Sequence, residues 1–233
     1  MKPICFIGAR GGSKGVKNKN IKNLADKPLI AHTIISAINS RIFSHVIVST
    51  DDKLIAKIAR KYGAEVPFQR PKILATNKAS FDDVLLHGIK KLKDLGFEFD
   101  IIVNRDCTVP FIRNVDVMGS INLLKKKNCD LVLGVYRTHL NPYFNMMEKG
   151  RKGFLKFSKK NPKKISNRQD APTVFQVNGL FTVNVSRFLK FKKIYMPKIL
   201  PYEIPPETGL MIDTEFEFQI ANYLAESKIK MVK

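Results

Sequence analysis

Apolar positions in this chain fall into short runs that alternate with segments of helical period. Residues 3–9 (PICFIGA) form an apolar run ending at glycines, as a buried first strand does. Residues 28–40 set Leu29, Ile30, Thr33, Ile34, Ala37 and Ile38 at helical spacing, with Pro28 suited to a first turn. Strand 45–49 (HVIVS) then leads to a helix over 53–62 that Asp51 or Asp52 can cap. A brief strand at 64–66 and a helix over 80–95, with Ser80 as its N-cap, come next. Further on, the pattern predicts strands at 100–103, 130–135 and 179–185, helices at 115–126 and 214–224, and a last strand at 229–232. This β-α-β-α rhythm predicts one α/β domain over residues 1–233, doubly wound about a single, mainly parallel, twisted sheet with right-handed crossovers.

The rhythm stops between residues 137 and 175. Prolines 142, 162 and 172 bracket a stretch, 149–164, with eight basic residues, no acidic ones, and Phe154, Leu155 and Phe157 among them. A long structureless loop inside a compact domain is uncommon. Residues 137–175 are therefore expected to form an inserted arm that packs on a second copy of the chain, making a homodimer.

Composition narrows the class. With 44% hydrophobic and 26% charged residues among 233, the chain is an ordinary globular one. Its apolar runs are far too short to span a bilayer, and its first residues do not read as a signal peptide. Three cysteines, an odd number without metal-ligand spacing, look like reduced thiols of a cytoplasmic protein. The net charge of +21 has two readings. A nucleic-acid partner is one. The other is a generally lysine-rich surface that concentrates anionic substrates. The excess is spread over nearly every segment without interleaved aromatics, which favours the second, so neither nucleic acid nor membrane is expected as a partner.

The most informative stretch is Ala9-Arg10-Gly11-Gly12-Ser13-Lys14-Gly15, followed by Lys17, Lys19 and Asn20. It starts where the first strand ends, which is where open α/β sheets bind ligands. Glycines let backbone N–H groups close on an anion, and Arg10, Lys14 and Lys19 supply the charge that a triphosphate needs. The alternative is a solvated basic turn. Neither the G-x-x-x-x-G-K-[ST] loop nor the G-x-G-x-x-G spacing is met, which disfavours an ordinary P-loop ATPase or a nicotinamide enzyme. The four histidines show no metal or triad spacing, and a G-x-S-x-G elbow is absent.

The A-R-G-G-S-K-G opening, with K-N-K-N-I and K-P-L-I after it, resembles the N-terminal signature of the CMP-sugar synthetases that activate N-acylneuraminic and related nonulosonic acids. V-S-T-D-D (48–52), R-P-x-x-L-A-T (70–76), R-Q-D-A-P (168–172) with Asn178-Gly179, and I-D-T-E (212–215) match in the same order. The resemblance spans most of the chain, and three features are similar to the legionaminic-acid branch: Asp106 at the usual glutamine position, the 141–146 block and the R-Q-D-A-P block. It implies a nucleotidyltransferase, glycosyltransferase-A-like form of the fold, and transfer of CMP from CTP to a sugar acid with release of pyrophosphate. It further implies that Arg10, Gly11, Gly12, Ser13, Lys14, Lys19 and Asn20 hold the nucleotide, with Arg70, Ala79, Ser80 and Asp106 also on the nucleotide side. Arg10, Lys14, Lys19 and Asp213 would be catalytic, and Arg168, Gln169 and Asn178 would face the sugar. Asp213 and Asp106 would hold Mg²⁺.

Two departures stand out. A serine usual in the family is Phe81 here, and the first aspartate of its I-D-I-D-T-E block is Met211, a poor ligand for a hard cation. Asp213 can alternatively be a helix N-cap. Three readings stay beside the main one: a nucleotidyltransferase for another sugar and nucleotide, a non-enzymatic nucleic-acid-binding protein, and a catalytically impaired homologue.

Overall fold

The computed structural model describes residues 1–13, 15–160 and 166–227. Its centre is a six-stranded sheet built from β1 (Ile4–Gly8), β4 (His45–Ser49), β5 (Ile101–Arg105), β6 (Leu131–Arg137), β9 (Phe175–Asn184) and β10 (Ile199–Glu203), in the order β10-β6-β9-β5-β1-β4. Pairings β1–β4, β1–β5 and β10–β6 are parallel, whereas β9 runs antiparallel to both β5 and β6. The sheet is thus mainly parallel with one reversed strand.

Alternation along the strands sorts the core into two layers, because successive side chains point to opposite faces. Cys5, Ile7, Val46, Val48 and Val103 pack with Ile30 and Ile34 of α1 (Leu29–Asn39), Ile55 and Ala59 of α2 (Lys53–Lys61), and Val117 and Ile121 of α4 (Asn114–Lys127). Ile4, Phe6, Ile47, Ile102 and Val183 pack the other way, on Leu85 and Ile89 of α3 (Phe81–Asp94) and Phe188 of α5 (Val185–Phe191). Helices on both faces make the doubly wound arrangement that the periodicity implied. A small third cluster joins Val16, Leu24 and Leu29 to Ile212 and to Phe218 and Ala221 of α6 (Glu215–Glu226), so the chain's last helix is pinned to its first loop. Between them a short antiparallel pair, β2 (Asn23–Leu24) and β3 (Lys27–Pro28), turns the chain into α1.

The expected strand at 64–66 is only a bridge of Glu65 to Ile47, since Pro67 has no N–H with which to extend it. The helix α5 and the strand β10 were not foreseen. Asn184 caps α5 by accepting from the Arg187 N–H at 3.2 Å, which ends the strand that the pattern ran to Val185. In β10, Pro201 removes a ladder donor, yet the strand lies at the sheet's edge, where proline is tolerated. The expected strand at 229–232 lies outside the described residues.

The excursion leaves and rejoins the sheet where Arg137, at the end of β6, pairs with Phe175, at the start of β9. Within it, Asn141 is buried; its side chain accepts from Tyr143 N–H and donates to the Pro172 carbonyl, tying the two ends together. A hairpin of β7 (Met147–Lys149) and β8 (Leu155–Phe157) follows, with Phe154 78% and Leu155 66% exposed. Residues 161–165, which include the end of the basic stretch, lie outside the described residues. No described helix is long and apolar enough to cross a membrane.

Candidate functional site

The C-terminal ends of β1 and β5 open onto a cleft of about 590 Å³. Arg10, Ser13, Lys19 and Asn20 from the glycine-rich loop line it, with Arg70, Ala79 and Ser80 from the segment leading into α3, and Asp106, Met211 and Asp213 from further along. Sequence-distant residues expected to work together therefore do meet.

The loop is held by its neighbours rather than free. The Gly11 N–H donates to Asp51 Oδ1 at 3.0 Å, and Arg10 Nη1 donates to the Thr76 carbonyl at 2.9 Å. Asn20, 7% exposed, donates from Nδ2 to the Arg10 carbonyl while its Oδ1 accepts from the Cys107 thiol, so it is a strut under the loop. Gly11 and Gly12 lie behind the cleft, in a small recess next to Asp52 and Ile55. Asp52, not Asp51, caps α2, which explains the acidic pair: one aspartate serves the helix and the other the loop. Lys14 lies outside the described residues.

Gly15 has a different task. A Cβ there would sit 2.0 Å from the Asp213 carbonyl oxygen, so only glycine lets the loop reach the 212–213 segment. Lys19 fastens the same contact, its Nζ donating to the Ile212 carbonyl at 2.7 Å and to Asp213 Oδ1 at 2.9 Å. Asp213 is not the helix cap. Thr214 is, in a capping box with Glu217, and Glu217 Oε2 also accepts from the Asp213 N–H at 2.8 Å. The Asp213 carboxylate is left to the cleft, 61% exposed.

Asp106 stands opposite, in the turn after β5. Desolvation holds its carboxyl above the usual carboxylate range, and the Asp213 carboxylate adds to this, while hydrogen bonds from Thr108 and the Lys19 ammonium oppose it. One ammonium thus sits in the field of two carboxylates. That donor set fits a hard divalent cation, which takes oxygen ligands and carboxylates and completes its shell from substrate phosphates. Among the described residues no group of three or more His, Cys, Asp or Glu could hold a metal by itself. Met211, half-buried against the core, lines the cleft near Asp213 without offering such a ligand.

Arg70 is 4% exposed and directed to the end of β4, donating from Nε to Ser49 Oγ and from Nη2 to the Ser49 carbonyl. Burial pushes its guanidinium down to about 10. Ser80 caps α3 as expected, accepting from the Asp83 N–H. The far wall of the cleft is apolar: Phe81 meets Phe181 edge to face at 5.5 Å, beside Leu74 and Val84. None of the three expected sugar-facing residues lines the cleft of its own chain. Arg168 and Gln169 lie exposed in the short turn Arg168–Asp170 of the arm, and Asn178 is buried behind the cleft. Asn104, Thr108 and Phe181 line it without having been singled out. Their types carry no signal alone; the β5–β9 register brings Asn104 and Phe181 there, and the turn after β5 brings Thr108.

Residues 4–226 match the family model described as Cytidylyltransferase. Post-translational flagellin modification protein B of Campylobacter coli is 33% identical over 227 residues, covering 97% of this chain and 95% of that protein. CMP-N,N'-diacetyllegionaminic acid synthase of Campylobacter jejuni is 32% identical over 230 residues, with the same coverage of 97% and 95%. The chain also superposes on a structure of CMP:2-keto-3-deoxy-manno-octonic acid synthetase complexed with CTP, with a TM-score of 0.74 at 17% identity, over 98% of this chain and 100% of that one. At that identity the likeness is one of fold.

The raised Asp106 carboxyl generates a stability prediction. Because the folded state favours its neutral form, the stability it contributes is present at low pH and lost as pH rises through its folded pKa. Asp106→Asn keeps an acceptor for the Thr108 N–H and mimics the neutral acid. It should therefore unfold at higher urea than wild type at neutral pH, with the difference vanishing in acid. A variant less stable at neutral pH would contradict the assigned strain.

Proposed function

The chain belongs to the cytidylyltransferase family, and we propose that it forms a CMP-sugar and pyrophosphate from CTP and a nonulosonic acid of the sialic, legionaminic or related kind. One observation carries this reading: the basic glycine-rich loop and the Asp106 and Asp213 carboxylates converge on a single cleft. Its volume of about 590 Å³ is within the ordinary range for a small-molecule site. CMP-N,N'-diacetyllegionaminic acid synthase, matched along nearly its whole length, supports the choice of substrate class.

The reaction asks little covalent chemistry of the protein. The sugar's C2 hydroxyl oxygen bonds to the α-phosphorus of CTP and gives up its proton to solvent, while the bond from that phosphorus to the bridging oxygen breaks and pyrophosphate leaves in line with both electrons of that bond. Catalysis is then positioning and charge neutralisation. Arg10, Lys14 and Lys19 hold the phosphates, with Ser13 and the Asn20-braced loop beside them, and Arg70, Ala79 and Ser80 border the nucleotide. Asp213, helped by Asp106, would hold Mg²⁺, which would supply neutralisation of phosphate charge. Lys19 is shared: it balances Asp213 in the resting chain and turns to the phosphates when nucleotide arrives. The protein works in the cytoplasm, without nucleic acid or membrane as partner, and dimerises through its arm. Arg168 and Gln169, which do not line their own chain's cleft, face the sugar acid from there.

Two measurements check this. Pyrophosphate release with a panel of nonulosonic acids should be far faster with CTP than with UTP, GTP or ATP, and Arg10→Ala should lower kcat by roughly 10²–10³, the effect of losing one preorganised donor. Equal turnover with UTP would remove the assignment. For the arm, light scattering at micromolar concentration should give a dimer that Phe154→Asp with Leu155→Asp converts to monomer, since both side chains are largely exposed in the isolated chain. A wild-type monomer would sink the dimer.

A further inference from the structure

Asn178 lies in the one place where the sheet loses register. Leu133 of β6 pairs with Phe181 and Val135 with Val177, so Asn178, Gly179 and Leu180 stand opposite Gly134 alone. Such a bulge re-aims what it touches. Asn178, 1% exposed, holds the bulge itself: its Oδ1 accepts from the Leu180 N–H at 3.0 Å, an Asx turn. Gly134 makes the room, since a Cβ there would lie 2.6 Å from Asn178 Oδ1.

On its other side the bulge touches Asp106. The Gly179 carbonyl accepts from the Asp106 N–H at 2.9 Å and from Asn104 Nδ2 at 3.3 Å. A Cβ at Gly179 would fall 2.3 Å from Asp106 Cβ, so the backbone here sets where that carboxylate stands. The path continues. Thr108 N–H donates to Asp106 Oδ1 at 3.0 Å, and the Thr108 carbonyl accepts from the Ile212 N–H at 2.9 Å, one residue before Asp213. Asn178 Nδ2, buried and without a hydrogen-bond partner, lies 3.3 Å from where a Cβ of Gly209 would be, at the head of the segment that carries Met211 and Asp213.

We propose that Asn178 is a positioning residue for the cation-holding carboxylates and not a contact of the sugar acid. Its side chain fixes the bulge, the bulge's Gly179 carbonyl holds Asp106, and the Thr108–Ile212 bond carries that placement to Asp213. This rests on the reading that Asp106 and Asp213 hold the divalent cation. Asn178 is 1% exposed and does not line the cleft, so its side chain does not reach a sugar acid bound there.

The test separates the roles by what each variant keeps. Asn178→Ser retains a hydroxyl that can accept from the i+2 N–H, as in a serine turn, but loses the amide; Asn178→Ala loses both. Mn²⁺ affinity in the presence of CTP, followed by electron paramagnetic resonance, should fall about 10–100-fold in Asn178→Ala, the usual cost of removing a group that orients a metal ligand. In Asn178→Ser it should stay close to wild type. The KM for the sugar acid at saturating metal should be unchanged in both. A sugar-acid KM raised alike in both variants, with Mn²⁺ affinity intact, overturns the proposal. Should Asn178→Ala not fold, Asn178→Ser still decides, because only a ligand role raises its sugar-acid KM. Asp106→Asn with Asp213→Asn serves as control: if that pair leaves Mn²⁺ affinity untouched, the cation site itself is misplaced, a failure distinct from that of Asn178.

Discussion

Everything at the site depends on the meeting of the first loop with the 212–213 segment, 193 residues apart at Lys19 and Ile212. The contact has three parts that act together. Gly15 allows the backbones to touch, Lys19 crosses to the Ile212 carbonyl and the Asp213 carboxylate, and Val16, Leu24 and Leu29 bury themselves with Ile212, Phe218 and Ala221. The apolar cluster supplies the driving force, since burying side chains of this size is worth about 1.5–3 kcal/mol each. The polar contacts supply direction. Without this clasp the glycine-rich loop and the Asp213 carboxylate would belong to unconnected parts of the chain.

The chain is strongly basic, so its few acids near the cleft are informative. Asp51 is committed to the loop backbone and Asp52 to a helix end. Asp106 and Asp213 remain, in the field of the Lys19 ammonium. The Lys19 ammonium offsets part of the repulsion between the two carboxylates, and Asp106 bears a desolvation cost. Met211 lines the cleft while packing partly buried against the core.

Much of this was legible in the residues. The alternation of apolar runs and helical periods located β1, β4, β5 and β6, and the glycines beside Arg10 and Lys19 at a strand end marked the loop that lines the cleft, because that pattern is local. The reversed direction of β9 was not legible, since nothing within a strand's own pattern fixes the direction of its neighbours. Nor were the tasks of Asp51, Asn20 and Asn178, which depend on partners 40, 10 and two residues away that only the fold identifies. Asn178 was expected at the sugar from its motif; its burial places it behind the cleft. Gly15 reads as part of a phosphate-binding nest in sequence, yet the space it saves is for Asp213.

The central claim is that Lys19 balances Asp213 until nucleotide arrives. It is tested most directly by titrating Mn²⁺ into nucleotide-free protein, comparing wild type with Lys19→Met by electron paramagnetic resonance. Removing the ammonium frees the Asp213 carboxylate and deepens the negative potential around Asp106. The account predicts weak binding by wild type and tighter binding by Lys19→Met, an increase in affinity on deleting a residue of the site. Equal or weaker Mn²⁺ binding by a folded Lys19→Met variant would contradict it.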